Sequence, residues 1–319
     1  MAEVGCAGIL VADMFCGPMQ ALPREGQLLA IDAIEPGAGG CAANVAIGLA
    51  KQGFAVDLAG CVGTDSSAQS LLRSLEDNGV GCEHIAATEL YPTSKTVILV
   101  VENQDRRYLH MFGANKAFTI GHIDRDWVAG LKVLYLGGLL ALPAIDMDEC
   151  RELLAFCRRQ QVVTVVDVVV PQDQEVAPAM EPLLPEIDYF LPNDDEAARI
   201  TGQTDPLRQL RELRARGART AIVTLGERGA VAVHNDQCWR IGAYRVDSVD
   251  PSGSGDAFSG GIIAGILRHL DMPRMLRHAS AFGACATRAL GTTGGLLSVA
   301  ETEAFVEEHP VAVSSWSLQ

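Results

Sequence analysis

One short run of the chain places a single carboxylate inside a turn of small residues. Gly253-Ser254-Gly255-Asp256 follows a strand-like segment at 244–249 and precedes a run, Ala257 to His269, with the apolar spacing of a helix. Backbone N–H groups at a helix start attract anions, and small residues let a phosphate approach them closely. A carboxylate does not bind phosphate. Asp256 therefore suits a general base that takes a proton from a hydroxyl attacking the phosphate.

The same run also allows a plainer interpretation. Glycine-rich turns are common, and Asp is a favoured capping residue at the start of a helix. Taken alone, the run fits a structural turn capped by Asp256 as well as it fits a phosphate site.

Two longer patterns extend the argument over most of the chain. Residues Asp250 to Gly261 resemble the C-terminal signature of the ribokinase-like (PfkB) carbohydrate kinases, with Ser254 in place of the usual Ala. The run from Gly39 to Gly53 resembles the N-terminal signature of that family. The resemblance implies an α/β fold, a ribokinase-like three-layer α/β/α arrangement with a mainly parallel central sheet. It also implies one kinase domain over residues 1–319, with a small β-strand lid drawn from about 14–36 and 91–113.

The resemblance assigns chemical roles as well. It implies that Asp256 is the base, that the backbone of Gly253, Ser254 and Gly255 forms the anion hole, and that ATP with Mg²⁺ is the donor. Acceptor contacts are implied for Asp13, Gly39, Gly40 and Asn44, with Asp167 as a further candidate, and nucleotide contacts for Asn193, Thr224, Gly226, Gly229 and Ser280. Glu196 would hold Mg²⁺ through water, and Asp250 with Ser252 would hold a monovalent cation such as K⁺, as in some members.

Local patterns fit several of these roles. The apolar run Val4 to Val11 predicts a buried strand that ends near Asp13, and ligands of parallel sheets sit where strands end. Asn44 falls in the first turn of a helix predicted over 42–52. Asp167 lies in the apolar run 162–170, and because an unpaired buried carboxylate is costly, we expect it at the end of that strand.

The remaining candidates have structural alternatives. Asn193 and Glu196 open a predicted helix, where acidic residues are also stabilised by the helix dipole. Thr224, Gly226 and Gly229 leave room for phosphate and ribose beside a strand end. At Ser280 ribokinase itself has Asn, so adenine contacts differ or come from the backbone. Cys41 stands where ribokinase commonly has Lys, which argues against a close ribokinase match.

The lid prediction rests on strand-like runs at 27–34, 93–101 and 106–112. A lid would exclude water from the reaction, and in the family it is often also a homodimer surface. A surface hairpin without function is the alternative. Arg106, Arg107 and His110 on these strands would either meet an anionic acceptor or face solvent. Residues 311–319 are predicted to form a loose tail.

Composition narrows the class of protein. The formal net charge of −15 argues against nucleic acid or an anionic membrane as the main partner. Nine scattered cysteines without a C-x-x-C pair predict a reduced, cytoplasmic protein without a structural zinc site. The N-terminus lacks the basic region of a signal peptide, and no apolar run reaches membrane-spanning length.

Other enzyme classes are disfavoured because the P-loop, nucleophile-elbow and dinucleotide-binding motifs are missing. A nucleoside kinase shares both signatures and is the leading alternative. A non-catalytic regulator that binds sugar or nucleotide is the alternative from another class, and the intact turn around Asp256 speaks against it. The sequence leaves the identity of the acceptor open.

Overall fold

The computed structural model describes residues 2–102, 104, 107–171 and 175–318. Within these ranges the strands are β1 (Val4–Gly8), β2 (Val11–Met19), β3 (Ile34–Gly39), β4 (Val56–Val62), β5 (Val80–Ala87), β6 (Lys95–Val101), β7 (Arg107–Met111), β8 (Val133–Gly137), β9 (Val163–Val166), β10 (Tyr189–Phe190), β11 (Thr220–Thr224), β12 (Ala230–His234), β13 (Gln237–Ile241) and β14 (Val313–Ser317). The α-helices are α1 (Cys41–Lys51), α2 (Ser66–Asp77), α3 (Arg125–Ala129), α4 (Met147–Arg159), α5 (Ala177–Met180), α6 (Asp194–Thr201), α7 (Pro206–Ala215), α8 (Ser254–Leu267), α9 (Met272–Ala286) and α10 (Val299–Glu308).

The larger sheet has ten strands in the order β14-β13-β12-β11-β10-β9-β8-β1-β4-β5. From β11 to β5 all neighbours are parallel, and the three pairings from β11 to β14 are antiparallel. Two hydrophobic clusters cover its faces. One includes side chains of α1, α2, α8 and α9, and the other includes side chains of α3 to α7. This confirms the predicted three-layer arrangement with a mainly parallel sheet.

Asp, Asn or Ser caps open most of the longer helices. The side chains of these residues accept hydrogen bonds from backbone N–H groups in the first turn, as they do in isolated helices. The capped helices and their caps are α2 (Asp65), α4 (Asp146), α6 (Asn193), α7 (Asp205), α9 (Asp271) and α10 (Ser298). Helices α1 and α8 differ, because Gly40 and Gly253 precede them and provide no side-chain cap.

The smaller sheet has four strands in the order β3-β2-β6-β7. We call it the lid sheet. Strand β2 runs parallel to β6, while β3 and β7 pair antiparallel to their neighbours. Strands β6 and β7 agree with the predicted runs at 93–101 and 106–112, although Arg106 lies outside the described residues.

Two sequence predictions about the first 40 residues are wrong. The expected strand from Val4 to Val11 is two strands in different sheets, so Asp13 lies inside β2 of the lid sheet and not at the end of β1. The expected strand at 27–34 starts only at Ile34, where β2 offers a partner at Cys16. Strand β2 is irregular beyond Cys16, where its register with β6 shifts, so the pairing ends after one further bond from the Gly17 N–H to Ala33 O, and Leu28 is 88% exposed.

Two predictions near the C-terminus are also wrong, and they share one cause. Residues 244–249 are not a strand, and residues 313–317 of the predicted loose tail are strand β14. Strand β14 pairs with the free edge of β13. That edge is therefore unavailable to 244–249. Gln319 lies outside the described residues.

Helix α8 begins at Ser254, three residues before the predicted start. In the part of the chain that is described, no helix has both the length and the apolar character needed to span a bilayer.

Candidate active site

The site lies where the parallel strands of the larger sheet end. Asp167 directly follows β9. Asn193 follows β10 and forms a bridge with Thr224, the last residue of β11. Because these parallel strands are neighbours and run in the same direction, the three residues lie together at the C-terminal ends of the strands. The expectation that Asp167 lies at a strand end is confirmed.

The small-residue turn forms the start of α8. Gly253 has a φ of 74°, the left-handed conformation that favours glycine, and precedes the first helical residue, Ser254. Asp256 is the third residue of the helix, and its side chain does not cap the helix. The interpretation of Asp256 as an ordinary cap is therefore wrong.

The two glycines of this turn have different surroundings. A Cβ atom on Gly253 would lie 2.3 Å from the carbonyl oxygen of Thr292. A Cβ atom on Gly255 would meet no atom within 4 Å. Gly253 is thus needed for the backbone, whereas Gly255 borders open space at a helix start without a side-chain cap, which suits an anion. The N–H of Ser254 donates to the carbonyl oxygen of Pro251 over 3.3 Å.

Asn44 joins the two signature runs. Its Nδ2 donates a hydrogen bond to Asp256 Oδ2 over 2.7 Å. Its Oδ1 accepts a hydrogen bond of 2.9 Å from the Thr292 hydroxyl, which fixes the orientation of the amide. The side chain is buried, with 4% of its surface exposed.

Burial raises the pKa of Asp256, while hydrogen bonds from Asn44 and Cys41 lower it in part. A carboxylate with a raised pKa is a stronger base, and a hydrogen-bonded one is held in place. Both properties suit the abstraction of a hydroxyl proton.

Asp167 and Cys41 stand beside Asp256. One side-chain atom of each of the three residues lies within 4.8 Å of the other two. Asp167 accepts hydrogen bonds from the Tyr135 hydroxyl and, over 2.7 Å, from the backbone N–H of Gly138. Burial and the charge of Asp256 raise the pKa of the Cys41 thiol well above its usual range. The thiol therefore stays protonated and can donate to Asp256.

Asp13 reaches the same region from the lid sheet. It is buried, and its pKa is raised to about 7 by burial and, to a smaller extent, by the charge of Asp256, although a hydrogen bond from Thr96 lowers it. A Cβ atom on Gly39 would lie 1.9 Å from Asp13 Oδ2. Gly39 therefore makes room for the Asp13 carboxylate. Gly40, with a φ of 92°, then begins the uncapped start of α1.

Asn193 and Glu196 form a capping box. Asn193 Oδ1 accepts from the Glu196 N–H over 2.8 Å, and Glu196 Oε2 accepts from the Asn193 N–H over 2.9 Å. The pair therefore opens a helix, as predicted, and has a structural role as its cap. Burial raises the pKa of Glu196 to about 7, with a further increase from the charges of Asp256 and Asp195. A half-buried carboxylate among other acids is a fitting oxygen donor for a hard cation such as Mg²⁺.

The other proposed nucleotide residues lie along β11 and α9. Gly226 and Gly229 have positive φ angles in the turn after β11, and a Cβ atom on Gly229 would lie 2.0 Å from the carbonyl oxygen of Ile241. Ser280 is buried on α9 and donates a hydrogen bond of 3.4 Å to the carbonyl oxygen of Gly242. Its hydroxyl is thus bound to the protein backbone.

Asp250 organises the loop before the turn. Its Oδ1 accepts from the N–H of Ser252 over 2.8 Å, and its Oδ2 accepts from the N–H of Gly291 over 2.9 Å. The Ser252 hydroxyl lies 3.3 Å from the hydroxyl of Tyr108 on β7. The lid sheet therefore touches the loop that leads into α8.

Sequence reasoning gave no role to Thr96, Tyr108, Tyr135 or Thr292. Two of them had a signal in the sequence that could have drawn attention to them. Tyr135 shortly precedes a Gly-Gly pair at a strand end, and Thr292 lies in the glycine-rich run 291–295. Nothing in the sequence pairs Thr96 with Asp13, because their contact depends on strand register.

Comparison with known proteins agrees with this geometry. The sequence profile of the pfkB family carbohydrate kinases matches residues 1–298. A deoxyribokinase from Salmonella typhi is 28% identical over 287 residues, which are 87% of this chain and 90% of that protein. A fructoselysine 6-kinase from Shigella flexneri is 27% identical over 255 residues, 79% of this chain and 89% of that protein.

Solved structures share the fold. An Escherichia coli protein named ribokinase II, in complex with ATP and Mg²⁺, has a TM-score of 0.84 at 21% identity and covers 97% of this chain and 100% of its own. A ribokinase from Arabidopsis thaliana, complexed with ribose and ATP, has a TM-score of 0.82 at 20% identity and covers 96% of this chain and 99% of its own. The chain belongs to the pfkB family of carbohydrate kinases.

Proposed function

We propose that this protein is an ATP-dependent kinase that phosphorylates a hydroxyl group of a small sugar or sugar derivative. The observation that carries the proposal is Asp256, held by Asn44 at the uncapped start of α8. The relatives support the acceptor class, since their names denote a deoxyribose, a ribose and a fructoselysine kinase.

In this proposal Asp256 takes the proton of the acceptor hydroxyl as that oxygen attacks the γ-phosphorus of ATP. The N–H groups of Gly253, Ser254 and Gly255 then donate to the oxygens of the transferred phosphoryl group, where negative charge is concentrated. Asp13, Gly39, Gly40 and Asn44, with Asp167 beside them, hold the acceptor hydroxyls.

The nucleotide would lie along the ends of β10 and β11, near Asn193, Thr224, Gly226 and Gly229, with Ser280 on the adenine side. Mg²⁺, when bound, neutralises charge on the donor phosphates, and Glu196 would hold it through water. A monovalent cation such as K⁺ would be held between two loops, one with Asp250 and Ser252 and the other formed by residues 291–295.

We propose further that residues 1–319 form one kinase domain whose lid sheet closes over the acceptor and joins two copies into a homodimer. The lid region carries several large apolar side chains that are more than half exposed, among them Leu28, Ile34, Leu90 and Leu109. Large exposed apolar side chains are candidates for a surface that a second copy would cover.

The proposal is tested by measuring ADP release from ATP and Mg²⁺ with a panel of pentoses, ketohexoses, sugar acids, hexose phosphates, aminated sugars and nucleosides, with and without K⁺. We expect a sugar-dependent signal that Asp256→Asn lowers by about 10²–10⁴-fold while ATP binding is retained. A signal with nucleosides alone would replace the sugar with a nucleoside as acceptor. ATP binding without turnover of any acceptor would contradict the catalytic role and favour a regulator.

A further inference from the structure

Three polar side chains form a row across the lid sheet. Asp13 of β2 is the register partner of Thr96 on β6, and Thr96 is the register partner of His110 on β7. Side chains of directly opposed residues lie on the same face of a sheet. Because Asp13 faces the site, Thr96 and His110 are directed to the same side.

The three side chains are neighbours along the row. The Thr96 hydroxyl and Nδ1 of His110 are 3.0 Å apart. On the other side Thr96 is the register partner of Asp13, and its hydroxyl stabilises the charged form of the Asp13 carboxylate and so lowers the pKa of that group in part. A hydroxyl has only one hydrogen to donate, and a carboxylate can only accept. If Thr96 donates to Asp13, His110 must carry its hydrogen on Nδ1 and donate to Thr96.

Burial differs along the row. Asp13 and Thr96 are buried, with 5% and 8% of their surfaces exposed, whereas His110 lies at the exposed edge strand of the sheet. His110 contacts the ring of Phe112 edge-on, with ring centres 4.7 Å apart. A change at His110 can therefore alter the row without removing a core side chain.

We propose that His110 is a positioning residue of the acceptor site, which orients Asp13 through the hydroxyl of Thr96. The inference rests on the proposed function, because it takes Asp13 as the carboxylate that receives acceptor hydroxyls. The Asp13 carboxylate can rotate about its bond to the side chain. When the Thr96 hydroxyl holds it from one side, the remaining lone pairs of its oxygens stay directed toward the acceptor. The strand at the lid edge thereby controls how well the acceptor is held.

Four variants separate this role from general packing. His110→Phe keeps a ring of similar size beside Phe112 but removes the donor, while His110→Asn restores an amide donor near the place of Nδ1. Thr96→Val removes the hydroxyl and keeps the shape, while Thr96→Ser keeps the hydroxyl. Arg107→Ala is the control, because Arg107 is on the same strand but on the opposite face, and its side chain donates to Gln104.

The first measurement is steady-state kinetics with the acceptor that the panel identifies. We expect His110→Phe and Thr96→Val each to raise the KM of the acceptor about 3- to 10-fold, as the loss of one hydrogen bond does, with kcat and the KM of ATP within about 2-fold of wild type. The double variant should be no worse than either single one, because both break the same chain. His110→Asn, Thr96→Ser and Arg107→Ala should stay within about 2-fold of wild type.

Multiplicative effects of the two single variants would overturn the proposal, because His110 would then act on the acceptor independently of Thr96. Equal losses in His110→Asn and His110→Phe would overturn it as well.

The second measurement needs no acceptor, so it separates failure of this inference from failure of the proposed function. In urea unfolding of the ligand-free protein, the double variant should lower the midpoint by less than the sum of the two single variants. Additive shifts would show that the two side chains are not coupled. They would overturn the proposed role of His110 even if the protein is a sugar kinase.

Discussion

Asn44 Nδ2 donates to Asp256 Oδ2 over 2.7 Å, across 212 positions of sequence. This bond ties the uncapped start of α1 to the uncapped start of α8. Neither helix start has a side-chain cap, and the Asp256 carboxylate lies at the contact between the two helices. In the proposed reaction this is where the acceptor hydroxyl and the transferred phosphoryl group would meet.

Replacing Asn44 should alter the pH dependence of catalysis. The hydrogen bond from Asn44 lowers the pKa of Asp256, so Asn44→Ala should raise that pKa and move the acidic limb of the kcat/KM profile to higher pH. The measurement is the pH–rate profile of the variant and of the wild type between pH 5 and 9. An acidic limb that does not move would contradict the role of this bond.

The two glycines of the turn should respond in opposite ways. Gly255→Ala meets no atom within 4 Å and lies in a helix, where Ala is favoured by up to about 1 kcal/mol, so stability should be kept or increased while kcat/KM for ATP falls. Gly253→Ala has a positive φ and a close carbonyl oxygen, so it should lower the free energy of unfolding by more than about 1 kcal/mol. Thermal unfolding and ATP kinetics of both variants test this. An active Gly255→Ala enzyme would argue against a phosphate at that position.

Tyr108 should couple the lid to phosphoryl transfer. Its hydroxyl lies 3.3 Å from that of Ser252, and the residue is 53% exposed, so Tyr108→Phe should leave folding unchanged. If the contact keeps water away from the phosphate, the ratio of ATP hydrolysis to sugar phosphorylation should rise about 2- to 10-fold. ADP and sugar phosphate are quantified in the same reaction. A ratio equal to that of wild type would mean that this contact does not exclude water.

The ligand-free protein should lose stability as the pH rises from about 4 to 7. The folded pKa of Asp13 is about 7, above the unfolded value of about 3.9, so the stabilisation that its bound proton provides is fully present below about pH 4 and is lost as the pH rises through about 7. Asp13→Asn should flatten the curve. Asp65 acts in the opposite direction but only at lower pH, because hydrogen bonds with Thr93, Ala68 and Lys95 overcome burial and lower its pKa to about 2. Urea unfolding at successive pH values tests this, and identical slopes in wild type and Asp13→Asn would contradict it.

The homodimer proposal predicts that charge on the exposed face of the lid will separate the copies. Leu109 is 64% exposed and points away from the row of Asp13, Thr96 and His110. Leu109→Glu should convert a dimer to a monomer in light scattering, while Leu22→Glu, at a less exposed position, provides a comparison. A wild-type protein that is monomeric at all concentrations would contradict the proposal.

The sequence predicted most of the larger sheet, because its strands are short apolar runs and its longer helices carry Asp, Asn or Ser caps. Strand β9, for example, lies within the predicted apolar run 162–170. The site was predicted in outline, since Asp256, Asn44 and Asp167 stand in patterns with chemical meaning. The lid was harder, because the chain leaves one sheet and enters another between Gly8 and Val11 without any change in apolar character.

What could not be predicted depends on contacts distant in sequence. Strand β14 was expected as a tail, because only the free edge of β13 gives its weak pattern a partner. The contact of Tyr108 with Ser252 spans 144 positions, and the row from Asp13 to His110 depends on the register of three strands. Neither propensity nor periodicity contains that information.

The contact between Gly39 and Asp13 has a consequence for related sequences. A side chain at position 39 would collide with the carboxylate of Asp13, and a carboxylate at position 13 needs the space that glycine leaves. The two positions should therefore vary together during divergence. Related sequences without an acid at position 13 can have a larger residue at position 39. Those are the relatives in which we expect a different acceptor.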